Sequence, residues 1–337
     1  MAPAARLETR FTREFGIAHP VMCGGMHYVT YSSLCAAVSN AGGLGFLTAI
    51  TQPTPEALRA EIRKTRTLTK KPFGVNISFL PAANPPDYNA YIKVLHEEKI
   101  TIVETAGNNP GEYIEKMVKG GCTVIHKCTT IRHAETAVKA GATWISMDGF
   151  ECAGHPGMAD TGGLVLFAMA AEAFNARGIK WIASGGIGNG AQLAACLALG
   201  ADGVNMGTRF MATTEAPIHA NIKQALVDSD NTNTRLILRS LKNTERVFDN
   251  AMARQAAEAE AAKPGDFGVI RQYIAGSLYR RSFQETGNTQ DSVWSCGQVM
   301  GLIHNVMPCQ QLIDGMVSDA VAAIQKRVAP MIVKAKL

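Results

Sequence analysis

Short apolar and β-branched runs recur along the chain with polar, helix-patterned stretches between them: PVMC (20–23), GLGFLTA (43–49), PFGVNI (72–77), ITIVET (100–105), CTVIHK (122–127), TWISMD (143–148), IKWIAS (179–184) and DGVNMG (202–207). The runs are short and mostly apolar throughout, which is the mark of parallel strands covered on both faces. Helical patterns follow them, such as 32–43, 130–141 and 190–201, the last two closing on a glycine near the C-terminal end. Eight successive βα units predict a closed (β/α)8 TIM barrel, with a doubly wound open sheet as the rival.

Beyond residue 215 the pattern changes. No further strand is expected, and 218–230, 250–263 and 267–279 read as helices. The predicted organisation is a barrel over 1–216 and 285–337, its outer ring completed by a last helix over 309–333, with a small helical lid domain over 217–284.

Composition narrows the class. Of 337 residues, 47% are hydrophobic and 18% charged, which fits a globular chain. The net charge of +5 is spread without a basic run, so neither nucleic acid nor a membrane is an expected partner. The start of the chain has no apolar segment of signal type, and no window reaches the roughly 18 apolar residues of a membrane span. A soluble, cytoplasmic protein with small-molecule partners is expected, and a homodimer is compatible with this picture. The final Ala335-Lys336-Leu337 is near the S-K-L peroxisomal address, which would apply in a eukaryote, although a plain basic helix end accounts for it as well. Cys23, Cys35, Cys122, Cys128, Cys152, Cys196, Cys296 and Cys309 form no CxxC pair and read as reduced core thiols, so no metal site is expected.

In such a barrel the chemistry sits at the C-terminal strand ends. After strand seven comes Ser184-Gly185-Gly186, and after strand eight Met206-Gly207-Thr208. Backbone N–H groups free of side chains beside a helix start make a phosphate cradle, whereas either motif alone would also serve as a tight turn. No G-x-x-x-x-G-K-[ST] loop is present, and GGIGNG does not open a first βαβ unit, so a mononucleotide is favoured over a dinucleotide. Gly24, Gly25 and Met26 after strand one would let backbone approach a flat ligand, or form a tight turn over a core methionine. Asn76 and Lys127 end strands three and five. A buried ammonium is costly without purpose, so Lys127 is read as holding negative charge on the ligand, with a simple ion pair as the alternative.

MCGGM, AAVSNAGGLG, PFGVNI, VIHK, DGFECAGHPG, ASGGIGNG, DGVNMGTRF and WSCGQVMGLI, in this order along nearly the whole chain, together resemble the nitronate monooxygenase (2-nitropropane dioxygenase) family of FMN-dependent barrels. Pro156, where nitronate monooxygenases usually carry Arg, makes GFECAGHPG most similar to the NADH:quinone reductase branch. The resemblance implies FMN as cofactor and NAD(P)H as co-substrate, with quinone as acceptor, or, as the alternative, a nitronate oxidised with oxygen. It implies that Ala153 and Gly154 bring the loop after strand six close to the flavin, placing His155 over its reactive face, with His155 and Lys127 as the catalytic pair. On the residues alone, His155 would equally satisfy a loop carbonyl. A non-flavin barrel for phosphate ligands is the remote alternative, and only Glu104 and Asp148 offer the strand-end acids an isomerase of that kind needs.

Overall fold

The computed structural model describes residues 6–79, 86–107 and 110–333. The Ala335-Lys336-Leu337 signal lies outside them. Eight parallel strands, β1 (Val21–Cys23), β2 (Leu44–Thr48), β3 (Phe73–Phe79), β4 (Ile102–Gly107), β5 (Thr123–Cys128), β6 (Trp144–Asp148), β7 (Lys180–Ser184) and β8 (Val204–Met206), close in sequential order, β8 pairing back to β1. The (β/α)8 TIM barrel read from the sequence is the fold.

Local chemistry explains where the outer helices start. Thr54, Thr130 and Asn189 each accept a backbone N–H in the first turn of the helices Pro55–Leu68, Ile131–Lys139 and Gly190–Ala198, satisfying donors that a helix start otherwise leaves open. Packing decides which end of the barrel is usable. Met22, Leu44, Phe46, Ile102, Ile125, Trp144 and Ile182 form a buried cluster inside the barrel, sealed by Phe11 and Phe15 of the short helix Arg10–Phe15. The Phe11 and Trp144 rings meet edge to face at 5.2 Å. The N-terminal mouth is therefore filled, and ligand access is left to the C-terminal strand ends.

The stretch after the barrel differs from the all-helical expectation. Thr234–Ile237 (β9) and Glu245–Phe248 (β10) pair antiparallel as a two-stranded ribbon, between helices Ala220–Val227 and Ala251–Ala262. The strands are four residues each, carry Arg235 and Arg246, and are joined by a connection with no glycine, in which Leu238 and Lys242 take positive φ (60° and 56°). A ribbon this short is marginal alone. It is held from outside: Phe248 N donates to Trp294 O at 2.9 Å, and Phe248 and Trp294 stack at 4.3 Å. The helix expected over 267–279 is split into Phe267–Ile270 and Gly276–Arg281. The last α-helix, Cys309–Ala322, gives way to π and 3-10 turns rather than continuing regularly to 333. Among the described residues no helix is long and apolar enough to cross a membrane.

Candidate active site

A cleft of ≈ 1500 Å³ opens over the C-terminal strand ends. Small-molecule sites usually measure roughly 300–1,000 Å³, so there is room for two ligands side by side. Its floor is made by the strand ends and the turns after them. One wall comes from the connection after β9 and from 267–279, including Leu238, Leu241, Phe267, Ile274 and Tyr279.

At one side of the floor lie the turns after β7 and β8. Gly185 and Gly186 have φ of 92° and 74°, the left-handed region that favours glycine, and a Cβ on Gly186 would stand 2.8 Å from Glu151 Cβ. Gln192, in the first turn of the helix Gly190–Ala198, ties the turn down: its Nε2 donates to Gly186 O at 2.7 Å and its Oε1 accepts from Gly188 N at 2.8 Å. Among the described residues no protein acceptor is found for the N–H groups of Gly185, Gly186, Gly207 or Thr208. Thr208 Oγ1 accepts from Gly297 N at 2.9 Å, leaving its own hydrogen to donate. Backbone donors seldom stay unpaired. Several in two neighbouring turns of one cleft, beside a helix start, suit the phosphate of a mononucleotide.

The centre of the floor is a buried polar network that joins six strands. Glu104, fully buried at β4, accepts from Gly25 N and Asn76 Nδ2, both at 2.7 Å on Oε2, and from Asn205 Nδ2 at 3.2 Å on Oε1. Asn205 Oδ1 accepts from Gly24 N at 2.9 Å, and its Nδ2 also reaches Ser146 Oγ at 3.3 Å. Ser146 donates to Asp148 Oδ1 at 3.4 Å, and Asp148 Oδ2 lies 3.3 Å from Lys127 Nζ. Burial pushes the Glu104 carboxyl above its ordinary value, against the pull of Lys127, the Gly25 N–H and Asn76. Burial also disfavours the Lys127 charge, but Asp148 and Glu104 outweigh it and hold the ammonium above its usual range. The Lys127 side chain is 23% exposed and lines the cleft, so it serves the ion pair and still faces a ligand.

Glycine at 24 and 25 is demanded by this network. A Cβ on Gly24 would sit 2.6 Å from Glu104 Oε1, and one on Gly25 would sit 2.3 Å from the Asn76 side chain. The side chain of Met26 meets the turn after β8, since a Cβ on Gly207 would stand 3.4 Å from Met26 Sδ.

The loop after β6 carries His155 to the cleft. Its Nδ1 lies 3.2 Å from Thr244 O, which only accepts, so Nδ1 carries a hydrogen, and in the neutral imidazole Nε2 is the nitrogen with the lone pair. The loop-carbonyl role and the cleft-facing role thus coexist. Glu151 is neither free nor at the reacting centre: both its carboxylate oxygens accept from Gly163 N, at 3.1 and 2.9 Å, capping the helix Gly163–Phe174. Cys152 is buried, and burial pushes its thiol well above the ordinary range, as suits packing rather than attack.

Gly24, Gly25, Met26, Asn76, Lys127, Ala153, Gly154, His155, Ser184, Gly185, Gly186, Met206, Gly207 and Thr208 all line this one cleft. Ser184 and Met206 are nearly buried where their strands end. The sequence reading did not include Glu104, Ser146, Asp148 and Asn205 in the site, nor His27, Tyr279 and Gly297 on its walls. The signal for the first four is a polar side chain inside an apolar strand. His27 stacks on Tyr28 at 3.9 Å and meets Tyr279 edge-on at 6.4 Å; burial lowers its imidazole to about 4.

Comparison with known proteins agrees with this architecture. The family profile described as nitronate monooxygenase matches residues 8–319. A Rhodococcus jostii protein named (3aS,4S,5R,7aS)-5-hydroxy-7a-methyl-1-oxo-octahydro-1H-indene-4-carboxyl-CoA dehydrogenase is 32% identical over 94% of this chain and 97% of its own. The nitronate monooxygenase of Pseudomonas aeruginosa is 30% identical over 92% of this chain and 98% of its own. The structure of FabK from Thermotoga maritima superposes with a TM-score of 0.89 at 33% identity, covering 97% of this chain and 100% of that one. With a profile match over residues 8–319, relatives at 30% identity or more and the same closed barrel, the chain belongs to the nitronate monooxygenase family of oxidoreductases.

Proposed function

We propose that this protein is an FMN-dependent oxidoreductase that takes hydride from NAD(P)H and reduces a quinone. The observation that carries the reading is the set of N–H donors at Gly185, Gly186, Gly207 and Thr208 that have no acceptor among the described residues, set at one side of a cleft whose floor holds a charged lysine and whose rim holds a histidine bonded through Nδ1. The donors and Thr208 would hold the FMN phosphate, with Gly24, Gly25, Met26, Asn76, Ala153 and Gly154 as the surfaces nearest the rest of the cofactor. FMN when bound supplies the hydride-accepting and hydride-donating chemistry.

The remaining work falls to side chains. Lys127 keeps a fixed positive charge at the floor, favouring electron-rich states of a ring seated there. Reduction of a quinone to a hydroquinone consumes one hydride, supplied by NAD(P)H, and one proton. His155 Nε2 takes that proton from solvent and passes it to the acceptor oxygen, while Thr244 O keeps Nδ1 protonated. The largely apolar outer cleft, with Leu238, Leu241, Phe267, Ile274 and Tyr279, excludes water from the reacting pair.

A second reading follows from the Rhodococcus relative, whose name specifies a carboxyl-CoA substrate. A cleft of ≈ 1500 Å³ with an apolar outer wall has room for an acyl thioester as well as a quinone. In the nitronate alternative, His155 Nε2 would instead meet the nitronate, with oxygen as the oxidant.

Anaerobic stopped-flow absorbance of the yellow holoprotein decides among them. Rapid bleaching by NADH or NADPH, reoxidation by a quinone, and loss of the second step in His155→Ala are expected. Bleaching by a nitronate with no response to nicotinamides would overturn the reading, and bleaching by an acyl-CoA, the electron donor of a dehydrogenase, without reoxidation by quinones would move it to the second.

A further inference from the structure

The hairpin β9–β10 lies outside the barrel, yet its inner strand is bonded to the loop that carries His155. Gly154 N donates to Arg246 O at 3.1 Å and Arg246 N donates to Gly154 O at 2.6 Å, a two-way antiparallel bridge one residue before the histidine. Thr244, two residues earlier on the hairpin and 1% exposed, receives His155 Nδ1 at its carbonyl, and its Oγ1 lies 2.8 Å from Met158 Sδ. The same edge of β10, the one opposite β9, is fixed further along by a bridge from Val247 to Ser295. The segment after Ser295 reaches the phosphate side through Gly297 N to Thr208 Oγ1. One edge of β10 thus holds both the histidine loop and the segment that leads to the turn after β8.

The side chain of Arg246 is hard to explain as a stabilising device. It is 3% exposed and makes no ion pair among the described residues. Its Nη2 and Nε donate to Phe150 O at 3.0 and 3.3 Å, its Nη1 donates to Thr234 Oγ1 at 3.0 Å, and the guanidinium lies 4.6 Å from the Phe150 ring centre. A buried cation hydrogen-bonded only to neutral oxygens, with the Glu151 and Asp160 carboxylates acting on it without an ion pair, is costly to desolvate. The two bonds to Phe150 O and the ring contact join β10 to the first residues of the histidine loop, and the bond to Thr234 holds the guanidinium against β9. At the far end of the loop the exposed pair of Arg239 with Asp160 adds a weak second tie.

We infer that Arg246 is a positioning residue for His155: by clamping Phe150 and the Gly154 bridge to β10, it keeps the imidazole against Thr244 O, and so fixes both its place at the cleft and the tautomer that leaves Nε2 free. The inference rests on the reading of His155 as the proton carrier, and it predicts that a strand of the appended hairpin, remote from the strand-end motifs, controls one half of the reaction.

The test compares wild type, Arg246→Met and, as a control on the outer tie, Arg239→Ala, all as FMN-loaded protein. The first readout is independent of activity: 15N spectra of histidine-labelled protein, the His155 signal being assigned by its absence in His155→Ala. Wild type is expected to show Nδ1–H with Nε2 unprotonated, Arg246→Met a mixture of tautomers, and Arg239→Ala the wild-type pattern. The second readout is kinetic. In Arg246→Met, quinone reoxidation should slow by about 10- to 100-fold, the scale of a misplaced reacting group, while FMN content and bleaching by NADH stay within about twofold of wild type. If Arg246→Met does not fold, Arg246→Lys, which keeps a cation and a donor toward Phe150 O, should give an intermediate mixture. Wild-type protein with the hydrogen on Nε2 overturns the inference outright. So does Arg246→Met with an unchanged tautomer, or with equal losses in both half-reactions and in FMN content. A shifted tautomer, in a protein whose His155→Ala variant reacts normally, would support the positioning role and refute the proton-carrying role of His155.

Discussion

Replacing Lys127 with Met removes the cation that balances the acids of the cleft floor while keeping the length of the side chain. Lys127 Nζ lies 3.3 Å from Asp148 Oδ2. At an effective dielectric of about 20, that separation is worth about 5 kcal/mol of gross attraction, most of it offset by desolvation. Removing one partner of a buried pair typically costs about 3–5 kcal/mol, because the other is left uncompensated. Two carboxyls are affected here, since Lys127 also pulls against the burial that raises Glu104. In Lys127→Met, the Glu104 carboxyl should therefore titrate still higher in the folded protein than in the unfolded chain. The folded form then holds the extra proton between those two values, so the stability deficit is largest above neutrality and shrinks as pH falls toward 5. Urea unfolding of wild type and variant at pH 8, 7, 6 and 5 reads this directly. A deficit of about 3 kcal/mol at pH 8 that at least halves by pH 5 is expected. The same variant should lower the reduction potential of bound flavin by about 30–60 mV, the equivalent of one charge-assisted hydrogen bond in a two-electron couple. A deficit independent of pH, together with an unchanged potential, would show that Lys127 neither balances the acids nor faces the cofactor.

Three further outcomes follow from single contacts. Gly186→Ala places a side chain at φ 74° and within 2.8 Å of Glu151 Cβ; FMN affinity measured by fluorescence should fall by at least about tenfold, and wild-type affinity would refute the cradle. Glu151→Ala uncaps the helix Gly163–Phe174 and should cost about 1 kcal/mol in urea unfolding, with no loss at all refuting the capping role. Burial lowers both His27 and His126 from 6.5 to about 4, so below pH 6.5 the unfolded chain binds protons that the folded form refuses, and stability drops by up to about 1.4 kcal/mol per pH unit for each. His126→Gln should flatten that slope by one histidine's share, and an unchanged slope would refute the assignment.

The barrel was legible in the chain because its strands are apolar on both faces and its helices are punctuated by caps and glycines, as at Thr130 and Gly141. The site was legible where motif and strand end coincide, as in Ser184-Gly185-Gly186 and at Lys127. What was missed depends on distant partners. Glu104 meets Asn76, Asn205 and the Gly24–Gly25 turn only when β1, β3, β4 and β8 are brought together. Read singly, it is one acid at the end of ITIVET, noticed only as part of a pair an isomerase would need. The need for Gly24 and Gly25 was visible, as close approach to a flat ligand or as a tight turn, but the demand of this network was not. The β9–β10 ribbon has neither a glycine turn nor clean alternation. Nothing local in the sequence marks Arg246 as the one spent inside, against Phe150.

The central claim is that the turns after β7 and β8 hold the phosphate of a flavin mononucleotide. The most direct measurement is the mass of the flavin released when the purified protein is heat-denatured, with its amount per chain. FMN at close to one per chain is the result this account predicts, whereas FAD, or a colourless protein that takes up no added FMN, would contradict it.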